Sequence, residues 1–273
     1  MFRQVIVGVA AGPASHDAVA VARLLTAEGG RISLATVSVL SPVRGAGGEY
    51  GPAETAEAMS LLEQMREESG AGDAELLTVT ASSVGRGLHY LAETNDADLL
   101  AVGSNARSFI GRVLVGDATR AALVGAPCAV AIAPLGYRSQ EAQVARVGVG
   151  YDGSAESEAA LACARDIAAA HGATVSALTV VPPVVYPGAG RGQADEALLA
   201  EARAELAALE GVTGSVEVGI PGEELAVFGA TVDLLVIGSR GYGPLRRLML
   251  GGTAVHLAGN ARCPLLVLPR PGD

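Results

Sequence analysis

The chain has 273 residues, a formal net charge of −10, and 50% hydrophobic against 18% charged residues. That composition supplies a large core and excludes global disorder. The negative balance excludes a general nucleic-acid or anionic-membrane surface, because phosphate contacts require positive charge. All 19 basic residues are arginine, and without lysine there is neither a Walker-type phosphate loop nor Schiff-base chemistry.

The longest apolar runs are strand-sized, so no membrane span is expected. Met1 leads directly into the apolar run Val5-Ile6-Val7 with no basic segment before it. No signal peptide is therefore expected, and a cytoplasmic location is. Cys128, Cys163 and Cys263 are odd in number and lack metal-ligand spacing, which suits buried thiols in a reducing compartment. His16, His89, His171 and His256 are scattered without an H-x-x-x-H pair and are expected at the surface or at helix ends; no metal site is expected.

In chain order, residues 4–9 read as a strand, about 15–27 as an Ala-rich helix and 32–39 as a second strand. A Pro/Gly-rich loop at 41–52 precedes a Glu-rich helix at about 54–69, a strand at 75–80 and a helix near 85–94. Asp98-Leu99-Leu100-Ala101-Val102-Gly103-Ser104 is a fourth strand with its turn, followed by a fourth helix and a closing strand at 128–133. Residues 137–144 are polar and suit a linker. The same order then repeats, with strands at 147–151, 174–181, 215–218, 233–237 and 265–268 and helices at about 157–170, 194–210 and 222–230, and a fourth after Gly251. Val5-Ile6-Val7-Gly8-Val9-Ala10 aligns with Val147-Gly148-Val149-Gly150-Tyr151-Asp152, and Asp98 to Ser104 aligns with Asp233-Leu234-Leu235-Val236-Ile237-Gly238-Ser239. Two copies are fused head to tail, with boundaries expected at 1–138, a linker at 139–144, and 145–273.

Strands alternating with helices imply right-handed crossovers and a parallel sheet covered on both faces. Each copy is expected to be a five-stranded, doubly wound α/β domain, flavodoxin- or Rossmann-like. Ligands on such sheets bind outside the carboxyl ends of the strands at the switch point, here the ends of strands one and four.

At that place the second copy carries Gly238, then Gly241, then Gly251-Gly252-Thr253 opening a helix. Glycine lets a backbone approach a ligand closely, and a helix start presents unpaired N–H groups at the positive end of its dipole. The combination suits a polyphosphate. Gly148-x-Gly150-x-x-Gly153 also matches the dinucleotide fingerprint, but Gly148 lies inside the strand and no acidic residue follows the second strand near Val181. The spacing Gly-x2-Gly-x9-Gly resembles the nucleotide-binding signature of the universal stress protein family. In that family the last glycine is followed by Ser or Thr, so Gly252 departs from the pattern, with Thr253 one place later.

The resemblance covers essentially the whole chain, as two UspA-like, adenine nucleotide alpha hydrolase-like domains in tandem. It implies binding of ATP, with or without Mg²⁺; AMP-class and cyclic nucleotides suit the same residues. It implies pairing through the closing strands at 128–133 and 265–268, an internal pseudo-dimer that covers two apolar edges. A further homodimer of whole chains and an unidentified protein partner are compatible with it. Carried onto this sequence, the cofactor site comprises Gly150, Asp152, Val180, Ile237, Gly238, Arg240, Gly241, Gly251, Gly252, Thr253 and Ala254. Asp152 would accept hydrogen bonds from the nucleoside and Val180 would meet the base. The glycines and Thr253 would offer amides to the phosphates. Taken alone, Asp152 also fits a turn or helix cap, and Arg240, Arg246 and Arg247 fit either phosphate partners or solvated loop residues.

In the first copy Ala10 stands for Asp152, Ala106 for Gly241 and Asp117 for Gly252. Asp117 would repel a phosphate at the helix start, so this copy is expected to be nucleotide-free and structural. The expected function is a non-catalytic, ATP-binding stress or signalling protein whose nucleotide orders the signature loop. The alternatives are a nucleotide-free assembly module and a slow ATPase, for which Asp152 is the one acidic candidate at the strand ends.

Overall fold

Each alternation of an apolar run with a helical stretch closes one strand–helix–strand crossover, and two sets of these meet edge to edge. The computed structural model describes residues 1–39, 52–104, 117–139, 143–183, 196–239 and 251–270. The first copy comprises β1 (Phe2–Gly8), α1 (Ala14–Leu25), β2 (Thr26–Val39), α2 (Pro52–Ser69), β3 (Glu75–Ala81), α3 (Val84–Thr94), β4 (Leu99–Gly103), α4 (Asp117–Leu123) and β5 (Ala129–Ala133). The second comprises β6 (Arg146–Gly150), α5 (Ala155–His171), β7 (Thr174–Val181), α6 (Glu196–Ala207), β8 (Val212–Val218), α7 (Pro221–Phe228), β9 (Leu234–Gly238), α8 (Gly252–Asn260) and β10 (Leu265–Leu268).

All ten strands form one sheet in the order β3-β2-β1-β4-β5-β10-β9-β6-β7-β8. Pairing is parallel within each copy, and β5 meets β10 antiparallel, with Ala131 opposite Leu266. This is the edge pairing expected of the internal pseudo-dimer. Every residue of β5 and β10 is buried, so each copy covers an apolar edge that would otherwise template aggregation. Strand alternation sends one set of side chains, such as Val7, Leu99, Val149 and Leu234, toward α1 and α5. It sends the other set, such as Ile6, Leu100, Ile237 and Leu265, toward α3, α4, α7 and α8. Each of these two cores runs across both copies.

Repeated sequence produces repeated bonds. Asp98 accepts from the Arg3 and Gln4 amides at 2.8 and 2.9 Å, and Asp233 accepts from the Ala145 and Arg146 amides at 2.9 and 2.8 Å. The Asp before the fourth strand therefore ties its start to the start of the first. Between copies, the His171 imidazole bonds the Leu24 carbonyl oxygen at 2.9 Å.

Two expectations are corrected. The second strand starts at Thr26 rather than near residue 32, directly after α1, because Gly29 (φ +72°) lets the chain bulge between its pairings with Phe2 and Gln4. The strand expected from 215 begins at Val212; Gly214 is inside it, where a β-carbon would lie 2.7 Å from Leu206 Cβ, so close helix packing and not a turn uses this glycine. His16 lies at a helix end as expected, in the first turn of α1, where its half-buried side chain pairs with Glu68 at 2.8 Å.

The segment expected to be a polar linker begins with a 3-10 turn at Tyr137–Ser139, and Tyr137 is buried. Buried Asp17 of α1 holds this turn, accepting from the Gly136 and Arg138 amides at 2.7 and 2.9 Å. Cys128 and Cys263 are buried free thiols and Cys163 is half-buried. Burial pushes their pKa values up to about 12, 12 and 11 respectively. Among the described residues no helix is long and apolar enough to cross a membrane.

Candidate functional site

In the second copy the crossovers run β6 to β7 to β8 in one direction and return to β9 on the other side of β6, so the switch point lies between the carboxyl ends of β6 and β9. A cleft of about 90 Å³ opens there, lined among others by Gly150, Asp152, Val180, Ile237, Gly238 and Thr253. Six of the eleven expected residues therefore come together from four elements. A larger cleft, about 600 Å³, lies at the opposite, amino ends of β1 to β3, where open sheets of this kind do not place ligands.

The cleft exists because side chains are missing at its floor. A β-carbon at Gly150 would stand 3.2 Å from Ile237 Cγ2 and from Leu225 Cδ1, so Gly150 lets these two apolar groups meet beneath the opening. Leu178 and Val180 of β7 and Leu225 of α7 complete the apolar wall. Asp152 lies just past β6 and is exposed. Its Oδ1 accepts from the Ser154 amide at 3.2 Å and from the Ser154 hydroxyl, an Asx turn that orients the carboxylate at the mouth. Ser154 in turn caps α5, accepting from the Ser157 amide at 3.2 Å. Asp152 is thus both a turn residue and a cleft residue.

The opposite wall is the start of α8. Its N-cap is Gly251, in extended conformation and with no side chain to accept from the first-turn amides, and no acidic residue lies in that turn. Gly252 is its first residue, and a β-carbon there would meet no described atom within 4 Å. Such a helix start favours an anion.

Some expectations are adjusted. Ala254 is buried in the core shared with Leu257 and Ala258, so its side chain serves packing and does not line the cleft. Arg240 and Gly241, with Arg246 and Arg247, lie outside the described residues, as does Ala106 of the first copy. Asp152 is not the one acidic group at the strand ends. Glu156, in the first turn of α5, also lines the cleft and pairs with Arg270 at 3.5 Å. The sequence carried a signal for it, since Ser154 is a helix cap and places the following turn at the strand end.

Tyr151, Ser157, Leu178, Pro221 and Leu225 are further cleft residues not foreseen. The Tyr151 hydroxyl donates to Glu158, and this bond, followed by burial, pushes the phenol pKa up to about 12. Tyr151 stays a neutral donor engaged by Glu158. No group of three or more His, Cys, Asp or Glu among the described residues is placed to hold a metal ion.

The comparisons agree with the fold. A solved universal stress protein from Archaeoglobus fulgidus DSM 4304 superposes with a TM-score of 0.69 over 98% of both chains at 17% identity, which shows the shared fold. A universal stress protein of Mycobacterium tuberculosis is 30% identical over 194 residues, 64% of this chain and 62% of that protein, so the chain spans less than two thirds of that relative's length. One from Thermus aquaticus is 34% identical over 129 residues, 43% of this chain and 93% of its own length. The family model described as the universal stress protein family matches twice, at residues 1–134 and 144–269. With two such matches covering nearly all of it, the chain belongs to the universal stress protein family, in tandem form.

Proposed function

We propose that the second domain binds one adenine nucleotide, ATP or a close relative, and that the protein acts as a non-catalytic, nucleotide-dependent stress or signalling component. The carrying observation is the meeting of the Asp152 carboxylate, the apolar wall of Val180 and Ile237, and the uncapped start of α8 around one cleft at the switch point. A carboxylate accepts from nucleoside donors, an apolar wall takes the base, and free amides at a helix start take phosphate.

Arg240 and Gly241 would complete the phosphate side. Binding is favoured over turnover because Glu156, the other carboxylate of the cleft, is paired with Arg270. Hydrolysis needs a positioned water and charge-stabilising groups at the transferred phosphate.

The test is native mass spectrometry and ATP titration of the purified chain and of Asp152→Ala. The variant installs the residue that the first copy already carries at this turn. One nucleotide per chain, lost in the variant, is the expected result. Two per chain, or unchanged affinity in Asp152→Ala, would refute the placement. Absence of any affinity would leave assembly through the paired sheets as the function.

A further inference from the structure

Joining β5 to β10 leaves the ten-stranded sheet with two edges, β3 and β8. A strand edge is a row of unpaired backbone donors and acceptors, which another strand fits. Residues 211–219, which carry β8, are all described, and among the described residues no strand lies on its outer side. β8 also ends in exposed apolar side chains, Val218 at 42% and, just beyond it, Ile220 at 58%, whereas β3 exposes no large apolar residue.

One bond fixes which backbone groups of β8 face outward. The Gly219 amide donates to the Val181 carbonyl at 3.2 Å, so the backbone of residue 219 faces β7. Alternation then turns the amides and carbonyls of Thr213, Ser215 and Glu217 toward β7, and those of Val212, Gly214, Val216 and Val218 outward. The side chains alternate as well. Val216 packs with Leu199 and Ala202 of α6, so Val212, Gly214 and Val218 share that face, while Thr213, Ser215 and Glu217 lie exposed on the other.

This pattern is its own complement. A second copy of the strand, laid antiparallel about a two-fold axis through Ser215, sets Val212 opposite Val218 and Gly214 opposite Val216, all pairs whose outward groups can exchange hydrogen bonds. On the polar face Thr213 stands opposite Glu217, so no charge meets its like. A groove of about 410 Å³ between α6 and the outer side of the strand, lined by Arg203, Leu206, Ala207, Val212, Gly214 and Val216, leaves room for the second copy's Val216 beside Gly214. Val218, exposed in the single chain, gains an apolar neighbour. We propose that two chains associate through β8 in this register, joining their sheets into one. The surface is small, so the dimer is weak and dissociates on dilution. Nucleotide binding plays no part in it.

The experiment is light scattering of the whole chain, diluted from submillimolar to micromolar concentration, beside variants at exposed positions of β8. Ser215→Lys sets like charges opposite each other on the axis. Ser215→Cys sets two thiols opposite each other in a non-hydrogen-bonded pair, whose Cα atoms lie about 4.5 Å apart and within disulfide reach. Thr213→Cys, which would face Glu217, is the control. The expected result is a wild-type dimer at the high end, weakened about fivefold or more in Ser215→Lys with the thermal midpoint retained. Mild oxidation should then link Ser215→Cys into a disulfide dimer and leave Thr213→Cys unlinked. A wild-type monomer throughout, a dimer untouched by Ser215→Lys, or equal linking of the two cysteine variants would overturn it.

Discussion

A β-carbon at Gly238 would lie 2.6 Å from the carbonyl oxygen of Glu156, so the last residue of β9 is glycine because the first turn of α5 passes directly over it. The first copy repeats the relationship more tightly, with 2.1 Å between a β-carbon at Gly103 and the Ala14 carbonyl oxygen. The first glycine of the signature is thus required by helix–strand packing in both domains, including the one that carries Ala10 in place of Asp152.

It follows that Gly238→Ala and Gly103→Ala should destabilise the protein alike, by about 1–3 kcal/mol or more, since backbone must move against backbone. Denaturant midpoints of the two variants check this. A Gly238→Ala protein of wild-type stability that merely failed to bind nucleotide would show instead that the glycine is there for the ligand.

Gly252 has the opposite character, with no described atom within 4 Å of a β-carbon. Gly252→Ser restores the hydroxyl of the family pattern and should tighten ATP binding by about fivefold, the worth of one hydrogen bond of about 1 kcal/mol. Calorimetric titration of the two proteins side by side reads the difference; equal affinities would place phosphate away from the start of α8.

Asp17 is buried and accepts two backbone amides from the turn that leaves β5. Removing it in Asp17→Ala leaves those amides without their acceptor and should cost about 2–4 kcal/mol. Urea unfolding measures the loss. A cost within about 0.5 kcal/mol, the range of ordinary surface substitutions, would mean that the turn finds other partners.

Burial pushes the Tyr137 phenol up to about 12, and the bond to Glu158 does the same for Tyr151. The folded chain holds these protons to higher pH than the unfolded one, whose phenols titrate near 10. Their stabilisation is therefore fully present below about pH 10 and is lost as pH rises through about 12. The three thiols, also raised, add a loss of the same sign from about pH 9 upward. Tyrosinate absorbance should show Tyr137 and Tyr151 ionising late, and Tyr137→Phe should remove one late-ionising phenol. A single transition of all six tyrosines near pH 10 would contradict both environments.

Separating the copies exposes the four buried residues of β10 as a sheet edge. Residues 143–273 expressed alone should pair through that edge with a second copy. Light scattering at micromolar concentration is expected to give a dimer, and a stable monomer would show that the edge is harmless without β5.

How much was legible in the sequence depended on the range of the interaction. The repeat, the strand–helix alternation and the closing strands were visible because strand-length apolar runs and Ala-rich helices leave local periodicities. The pairing of the closing strands followed from the resemblance and from the cost of two bare edges, while its antiparallel sense and the register that sets Ala131 opposite Leu266 did not. Asp152 and the glycines could be named as site candidates, because turns and helix starts impose local chemistry.

Leu225 was missed, since it enters the cleft from α7 at an angle that no local pattern encodes, whereas Glu156 was missed although the Ser154 cap marks the turn that carries it. The Ala254 side chain turns to the core because the roll of α8 on its sheet decides which side of a helix start faces inward. Composition, periodicity and repetition alone determined the two copies and the alternation of strands and helices in each, and the glycine spacing with its resemblance pointed to the neighbourhood of the site. Tertiary structure alone decided that Gly238 lies under the first turn of α5, and that Leu178, Leu225 and Ile237 line one cleft. Both depend on distances between atoms far apart in the chain, which only packing sets.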